Sequence, residues 1–216
     1  MTVPTPRRVM FGASITRTAA PQLRAKIPYI VVDGTDDNAH GGTSYQTDGR
    51  GLITKPSRAQ GDDAPEPWGL SMWDAYLDEI ARGTTLRAGA PNRDWVVMEL
   101  GLGTEDLAVD EPVIDNIVSS VIDNNFRLVW VLPHVYYGAR TEAQQAWNDE
   151  LRSMLLAKVP AVPDSVLIDW DGIVTAWKTA FGIDLTIDGR HPTGTAEHPG
   201  HGCERLACAV QAATGL

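Results

Sequence analysis

The chain has 216 residues, 43% hydrophobic and 21% charged, the composition of a globular protein long enough for one domain with a sizeable core and too short for two domains. Eighteen Lys and Arg against 28 Asp and Glu give a formal net charge of −10, which argues against nucleic acid or an anionic membrane as partner, since both need a basic footprint. No apolar run approaches the ~20 residues that span a bilayer, and residues 1–8 lack the apolar stretch of a signal peptide, so the expected locations are the cytoplasm or, for a processed domain, outside the cell.

The first element is the run Val9-Met10-Phe11, which reads as a buried strand; Gly12 and Ala13 then present Ser14 where that strand ends. Pro21 lacks an amide hydrogen and disfavours a helix interior, so a short turn after Ser14 and a helix opening at Pro21 are expected. A short strand follows over Tyr29 to Val32. Asp33 to Gly69 is rich in Gly, Asp, Pro and Ser, and a connection of that length in a compact domain is usually functional or mobile. Its acidic run, Asp33 to Asn38, lacks the spacing of a calcium loop and reads as a solvated turn.

Helical spacing resumes with Met72, Trp73, Tyr76, Leu77, Ile80 and Ala81, after Ser71 and with Asp74 in a capping-box position. Trp95 to Leu100 is a second long apolar strand. Pro112 at a first helical position leads into Val113, Ile114, Ile117, Val118, Val121 and Ile122. Leu128 to Leu132 is again a strand, and Thr141 with Gln144 opens a helix through Trp147, Leu151, Met154 and Leu155. After a strand at Val166 to Ile168, Asp171 is expected to cap a helix carrying Ile173, Val174, Trp177 and Phe181. Leu206 to Ala213 make the last helix. Cys203 and Cys208, five residues apart, would face different sides of one helix, so both are expected to be free thiols, with a local bridge the alternative if Cys203 precedes the helix.

Strands without polar alternation, separated by amphipathic helices, predict an α/β chain with a parallel sheet covered on both faces, a three-layer α/β/α sandwich in one domain, 1–216. Ligands of such sheets bind at the C-terminal strand ends. Ser14 falls at one such end, Gly101 to Asp106 and His134 at two others.

Acyl transfer by serine needs a base for the hydroxyl proton, a group that orients the base, and donors for the oxyanion. Asp188-Gly189-Arg190-His191-Pro192 supplies a carboxylate and an imidazole three residues apart. In a loop, that spacing lets the carboxylate meet one ring nitrogen while the other faces a serine. Ser14 is then the nucleophile, His191 the base and later the acid, and Asp188 the orienting group. Asp-Gly alone is a turn signal; the catalytic reading rests on both ends of the chain together.

At those residues the sequence resembles the SGNH (GDSL-type) hydrolases. Gly12-Ala13-Ser14-Ile15-Thr16 is similar to their first block and Asp188 to Thr193 to their last, while Glu99-Leu100-Gly101 ends the third strand as their third block does. The resemblance implies a flavodoxin-like sheet, a Ser-His-Asp triad, ester hydrolysis with neither cofactor nor metal, and a small-molecule or carbohydrate acyl ester as substrate. It also implies an oxyanion hole of the Ser14 amide, a second-block glycine amide and a third-block asparagine. For the glycine, Gly49 in Asp48-Gly49-Arg50 matches best, with Gly41 and Gly42 as rivals. The asparagine is missing: one alignment puts Gly103 in its place, with only a backbone N–H to offer, and another puts Glu105 there, whose carboxylate would repel an oxyanion. Losing one such donor costs roughly 3–4 kcal/mol of transition-state stabilisation. Ala13 replaces the usual aspartate before the serine, a side chain with no step in the reaction.

Two alternatives stay open: a glycan O-acyltransferase on the same triad, and a non-catalytic carbohydrate-binding or virion-surface module of the same fold. His191, His198, His201 and Cys203 fall within thirteen residues but match no zinc-ligand spacing, so that stretch is read as a loop with solvent-facing histidines. Of the seven tryptophans, those on helical stripes are expected to pack in the core.

Overall fold

A computed structural model describes residues 5–12, 14–31, 72–99, 107–132, 142–189 and 191–216. Five strands form one parallel sheet: β1 (Arg8–Phe11), β2 (Ile30–Val31), β3 (Trp95–Glu99), β4 (Arg127–Leu132) and β5 (Val166–Asp169). Their order is β2-β1-β3-β4-β5, the flavodoxin-like arrangement, which reverses direction between β1 and β3. Register runs from Phe11 beside Met98 to Leu132 beside Asp169, so the C-terminal ends of the strands share one edge. The sheet is the one the apolar runs predicted.

The helices are α1 (Ser14–Lys26), α2 (Met72–Arg82), α3 (Leu107–Asp123), α4 (Glu142–Lys158), α5 (Trp170–Phe181) and α6 (Gly202–Ala213). Alternate strand residues serve two separate cores. Val9, Phe11, Val96, Met98, Leu128 and Trp130 meet Tyr76 of α2, Ile114 and Ile117 of α3 and Leu151 of α4. Met10, Val97, Val129 and Ile168 meet Ile15, Ala19 and Leu23 of α1, Val174 of α5 and Leu206 and Val210 of α6. The result is the expected three-layer sandwich, with α2, α3 and α4 on one face and α1, α5 and α6 on the other. Trp147 is buried, as its stripe predicted, and so is Trp170; Trp177 is only half-buried and Phe181 on the same stripe is exposed, against that expectation.

Four helix starts differ from expectation. α1 begins at Ser14 and runs through Pro21, because Pro21 lies on the exposed side while Ile15, Ala19, Ala20 and Leu23 bury the other. A missing amide hydrogen on the solvent face is outweighed by packing of the opposite one. Pro112 likewise lies inside α3, exposed, and does not open it. The cap of α5 is Asp169, not Asp171: its carboxylate accepts from the Gly172 N–H at 2.9 Å, since the strand ends one residue before the helix starts and leaves no room for a later cap. The helix expected from Leu206 starts at Gly202. Cys203 and Cys208 both lie on it as free thiols. The positions Ser71 and Thr141, the long segment from Asp33 to Gly69, Gly101 to Asp106 and His134 lie outside the described residues.

Candidate active site

Ser14 is described through its backbone: it is the first residue of α1, three residues past the end of β1 on the C-terminal edge of the sheet. In this fold that edge, beside the β1/β3 reversal, is where ligands sit. The turn is tight. A Cβ on Gly12 would fall on Thr16 Oγ1 and lie 2.7 Å from Glu99 Oε2, so only glycine fits between the strand and the first helical turn.

Asp188 and His191 are brought together as the spacing predicted. Asp188 Oδ2 lies 2.7 Å from His191 Nδ1, and Asp188 Oδ1 accepts the His191 backbone N–H at 2.8 Å. An ionised carboxylate at Nδ1 selects the tautomer that carries its proton there, which leaves the lone pair on Nε2. The imidazole is about a third exposed, the carboxylate about half.

The loop that carries this pair is held from several sides. The Ile187 N–H donates to His191 O at 2.8 Å and the Thr193 N–H to Leu185 O at 2.9 Å, with a bridge between Thr186 and Pro192. The start of α6 is pressed against the same loop: a Cβ on Gly202 would fall on Leu185 O and lie 2.6 Å from Thr193 N. Backbone atoms cannot move aside for a methyl group as a flexible side chain can. The single proton of Cys203 Sγ is shared between Pro192 O at 3.7 Å and Thr18 O at 3.6 Å. One sulfur thus joins the residue after His191 to a residue one helical turn beyond Ser14. Burial pushes the Cys203 thiol up to about 11, so it stays protonated in neutral solution and serves as a donor, not a nucleophile.

Asp184 steadies the loop from its other end. Its carboxylate accepts from Lys178 Nζ at 2.9 Å and from Thr186 Oγ1 and N–H at 2.7 and 3.0 Å. Partial burial alone would raise its pKa, but the Lys178 ammonium and the two Thr186 donors outweigh it and hold it at about 2. A free aspartate titrates at about 3.9, so this contribution is complete above that pH and is lost as pH falls from about 4 toward about 2. Asp184→Asn should therefore flatten the acid limb of the stability curve in that window, read by urea unfolding at several pH values. An unchanged acid limb would remove Asp184 as an anchor.

Gly49 and Gly103, the expected oxyanion glycines, lie outside the described residues, as do their alternatives Gly41, Gly42 and Glu105. His198 and His201 are exposed, His201 facing Glu204 at 3.6 Å. Among the described residues no three of His, Cys, Asp and Glu gather as metal ligands would. The contacts of Cys203, Gly202 and Asp184 escaped the sequence reading because each joins the loop to an element distant in sequence or to backbone, and only the register of the fold makes them neighbours.

No family model and no curated protein matches the sequence. Solved structures are similar in fold. The C-terminal catalytic domain of peptidoglycan O-acetyltransferase A from Streptococcus pneumoniae, solved with a methylsulfonyl adduct, aligns with 97% of this chain and 92% of its own at TM-score 0.62 and 13% identity. An acetylxylan esterase from Geobacillus stearothermophilus aligns over 100% and 97% at TM-score 0.56 and 15% identity. An α/β hydrolase from the metagenome of Lake Arreo, Spain, aligns over 99% and 97% at TM-score 0.57 and 14% identity. At such identities the likeness is one of fold: this chain has the α/β/α architecture of those hydrolases and of that acetyltransferase domain.

Proposed function

We propose that the chain is a serine ester hydrolase of the SGNH type, a single domain acting on a small acyl ester, with an acetylated carbohydrate as the substrate class. The observation that carries the proposal is the Asp188–His191 pair, bonded at 2.7 and 2.8 Å and tied through Cys203 to the helix that Ser14 opens. The architecture shared with an acetylxylan esterase and a peptidoglycan O-acetyltransferase domain supports the acyl chemistry and the carbohydrate class.

In this reading His191 Nε2 takes the Ser14 hydroxyl proton as Oγ attacks the ester carbonyl. The tetrahedral oxyanion is met by the amides of Ser14, Gly49 and Gly103, and its collapse expels the alcohol, protonated by the imidazolium. Water, deprotonated by the same imidazole, then releases the acid and regenerates the serine. Asp188 accepts a hydrogen bond but takes no proton: it orients the ring and stabilises the imidazolium. No cofactor takes part.

Acyl transfer to a sugar hydroxyl is a second reading, favoured by the likeness to an O-acetyltransferase domain. Incubating the protein with a chromogenic acetyl ester, with and without an acceptor oligosaccharide, separates the two. Free acetate as the main product in both mixtures is expected. Acetylated oligosaccharide at the expense of acetate would make the protein a transferase, and release of neither product would end both readings.

A further inference from the structure

Glu99 ends β3 with only 1% of its surface exposed, and Thr16 in the first turn of α1 has none. Glu99 Oε2 accepts from Thr16 Oγ1 at 2.9 Å and lies 3.4 Å from the Thr16 N–H. A buried carboxylate is costly unless donors meet it. Here it lies at a helix N-terminus, where unbonded amide hydrogens and the positive end of the helix dipole favour an anion. One side chain that answers it belongs to the residue two beyond Ser14, and Gly12 is bare because the Thr16–Glu99 pair fills the space a Cβ would need. Gly12, Thr16 and Glu99 therefore form one clamp around the turn from strand to helix.

We propose that Glu99 is a positioning residue for the Ser14 turn: through Thr16 it locks the first turn of α1 to the end of β3 and so fixes where the Ser14 hydroxyl stands relative to His191. This rests on the esterase reading and adds to it a residue that touches no substrate. The bond from β3 ties the serine turn to the neighbouring strand, as Cys203 ties α1 to the histidine loop, so both partners of the proton transfer are referred to the same rigid sheet. Small misplacements of a reacting group, even by distant changes, can lower rates on the order of 100-fold.

The test is a kinetic series on a chromogenic acetyl ester with wild type, Thr16→Val, Thr16→Ser, Glu99→Gln and Ser14→Ala, each checked by circular dichroism and thermal melting. Thr16→Val keeps the shape and removes the hydroxyl; it should lower kcat on the order of 10- to 100-fold with KM nearly unchanged. Thr16→Ser restores the donor and should restore kcat. Glu99→Gln, which keeps an acceptor oxygen, should fall between. A folded Thr16→Val protein with wild-type kcat, a Thr16→Ser variant as slow as Thr16→Val, or a loss that tracks only the folded fraction would overturn the proposal. Should Thr16→Val not fold, wild-type kcat in folded Glu99→Gln would overturn it equally. Ser14→Ala keeps the two questions apart: if it is as active as wild type, the esterase reading fails and the clamp's catalytic role with it; if it is inactive while Thr16→Val is not, only the clamp fails.

Discussion

Ser14→Ala and His191→Ala should each lower turnover of an acetyl ester by on the order of 10⁴-fold or more, with the fold intact. The size follows from what each group does. Without the hydroxyl no acyl-enzyme forms, and without the imidazole nothing at hand accepts the hydroxyl proton in neutral solution. Losses should not multiply: the double variant should be about as slow as either single one, because the two groups act in one step. Asp188→Asn keeps the size of the side chain but favours the wrong ring tautomer, since an amide offers Nδ1 a donor as readily as an acceptor. Its loss should appear in kcat and not in KM. The wild-type rate should fall on the acid side as the imidazole takes up a proton, because only the neutral ring accepts one from Ser14. Stopped assays at fixed ionic strength read all four variants and the profile; a rate level from acid to neutral pH would remove His191 as base.

The second large effect is on stability. Asp94 lies just before β3, at the N-terminal edge of the sheet, fully buried. Its carboxylate accepts the Arg7 N–H at 2.7 Å, the Arg87 N–H at 3.0 Å and the Arg87 guanidinium at 2.9 and 2.6 Å. Asp94→Ala leaves the partly exposed Arg87 guanidinium without its carboxylate and strands two backbone donors, each of which costs about 1–3 kcal/mol when buried and unsatisfied. For a chain of this size the two together correspond to a fall in Tm of roughly 10 °C. Activity per folded molecule should hold, because the network lies at the edge opposite Ser14. Thermal melts with parallel kcat measurements check both halves; a variant of wild-type stability, or one that is stable and inactive, would contradict this account.

The separation of a structural edge from a chemical one was only partly legible in the sequence. The strands were, because residues buried on both faces need no alternation and Val9 to Phe11, Trp95 to Glu99 and Leu128 to Leu132 show none. Helix stripes were legible for the same reason, in the 3.6-residue period of their apolar residues. Helix starts were not: Pro21 and Pro112 suggest boundaries by local chemistry, yet packing of Ile15, Ala19 and Ala20 carries α1 past Pro21, and α3 already begins at Leu107, before Pro112. Of the candidate site, the local part could be read, because Asp188 and His191 are three residues apart and meet within one turn. The non-local part could not. The Glu99–Thr16 bond spans 83 positions and the Cys203–Thr18 bond 185, and nothing in a single sequence pairs residues that only the β1/β3 register and the α1/α6 packing bring together.

The most direct test of the central claim is the site of modification by a fluorophosphonate, read by peptide mass spectrometry on wild type and His191→Ala. One adduct is expected, on Ser14, formed rapidly in wild type and barely at all without the imidazole. Hydrolysis of acetyl esters by a wild-type protein that leaves Ser14 unmodified, or equal labelling in the two proteins, would contradict it.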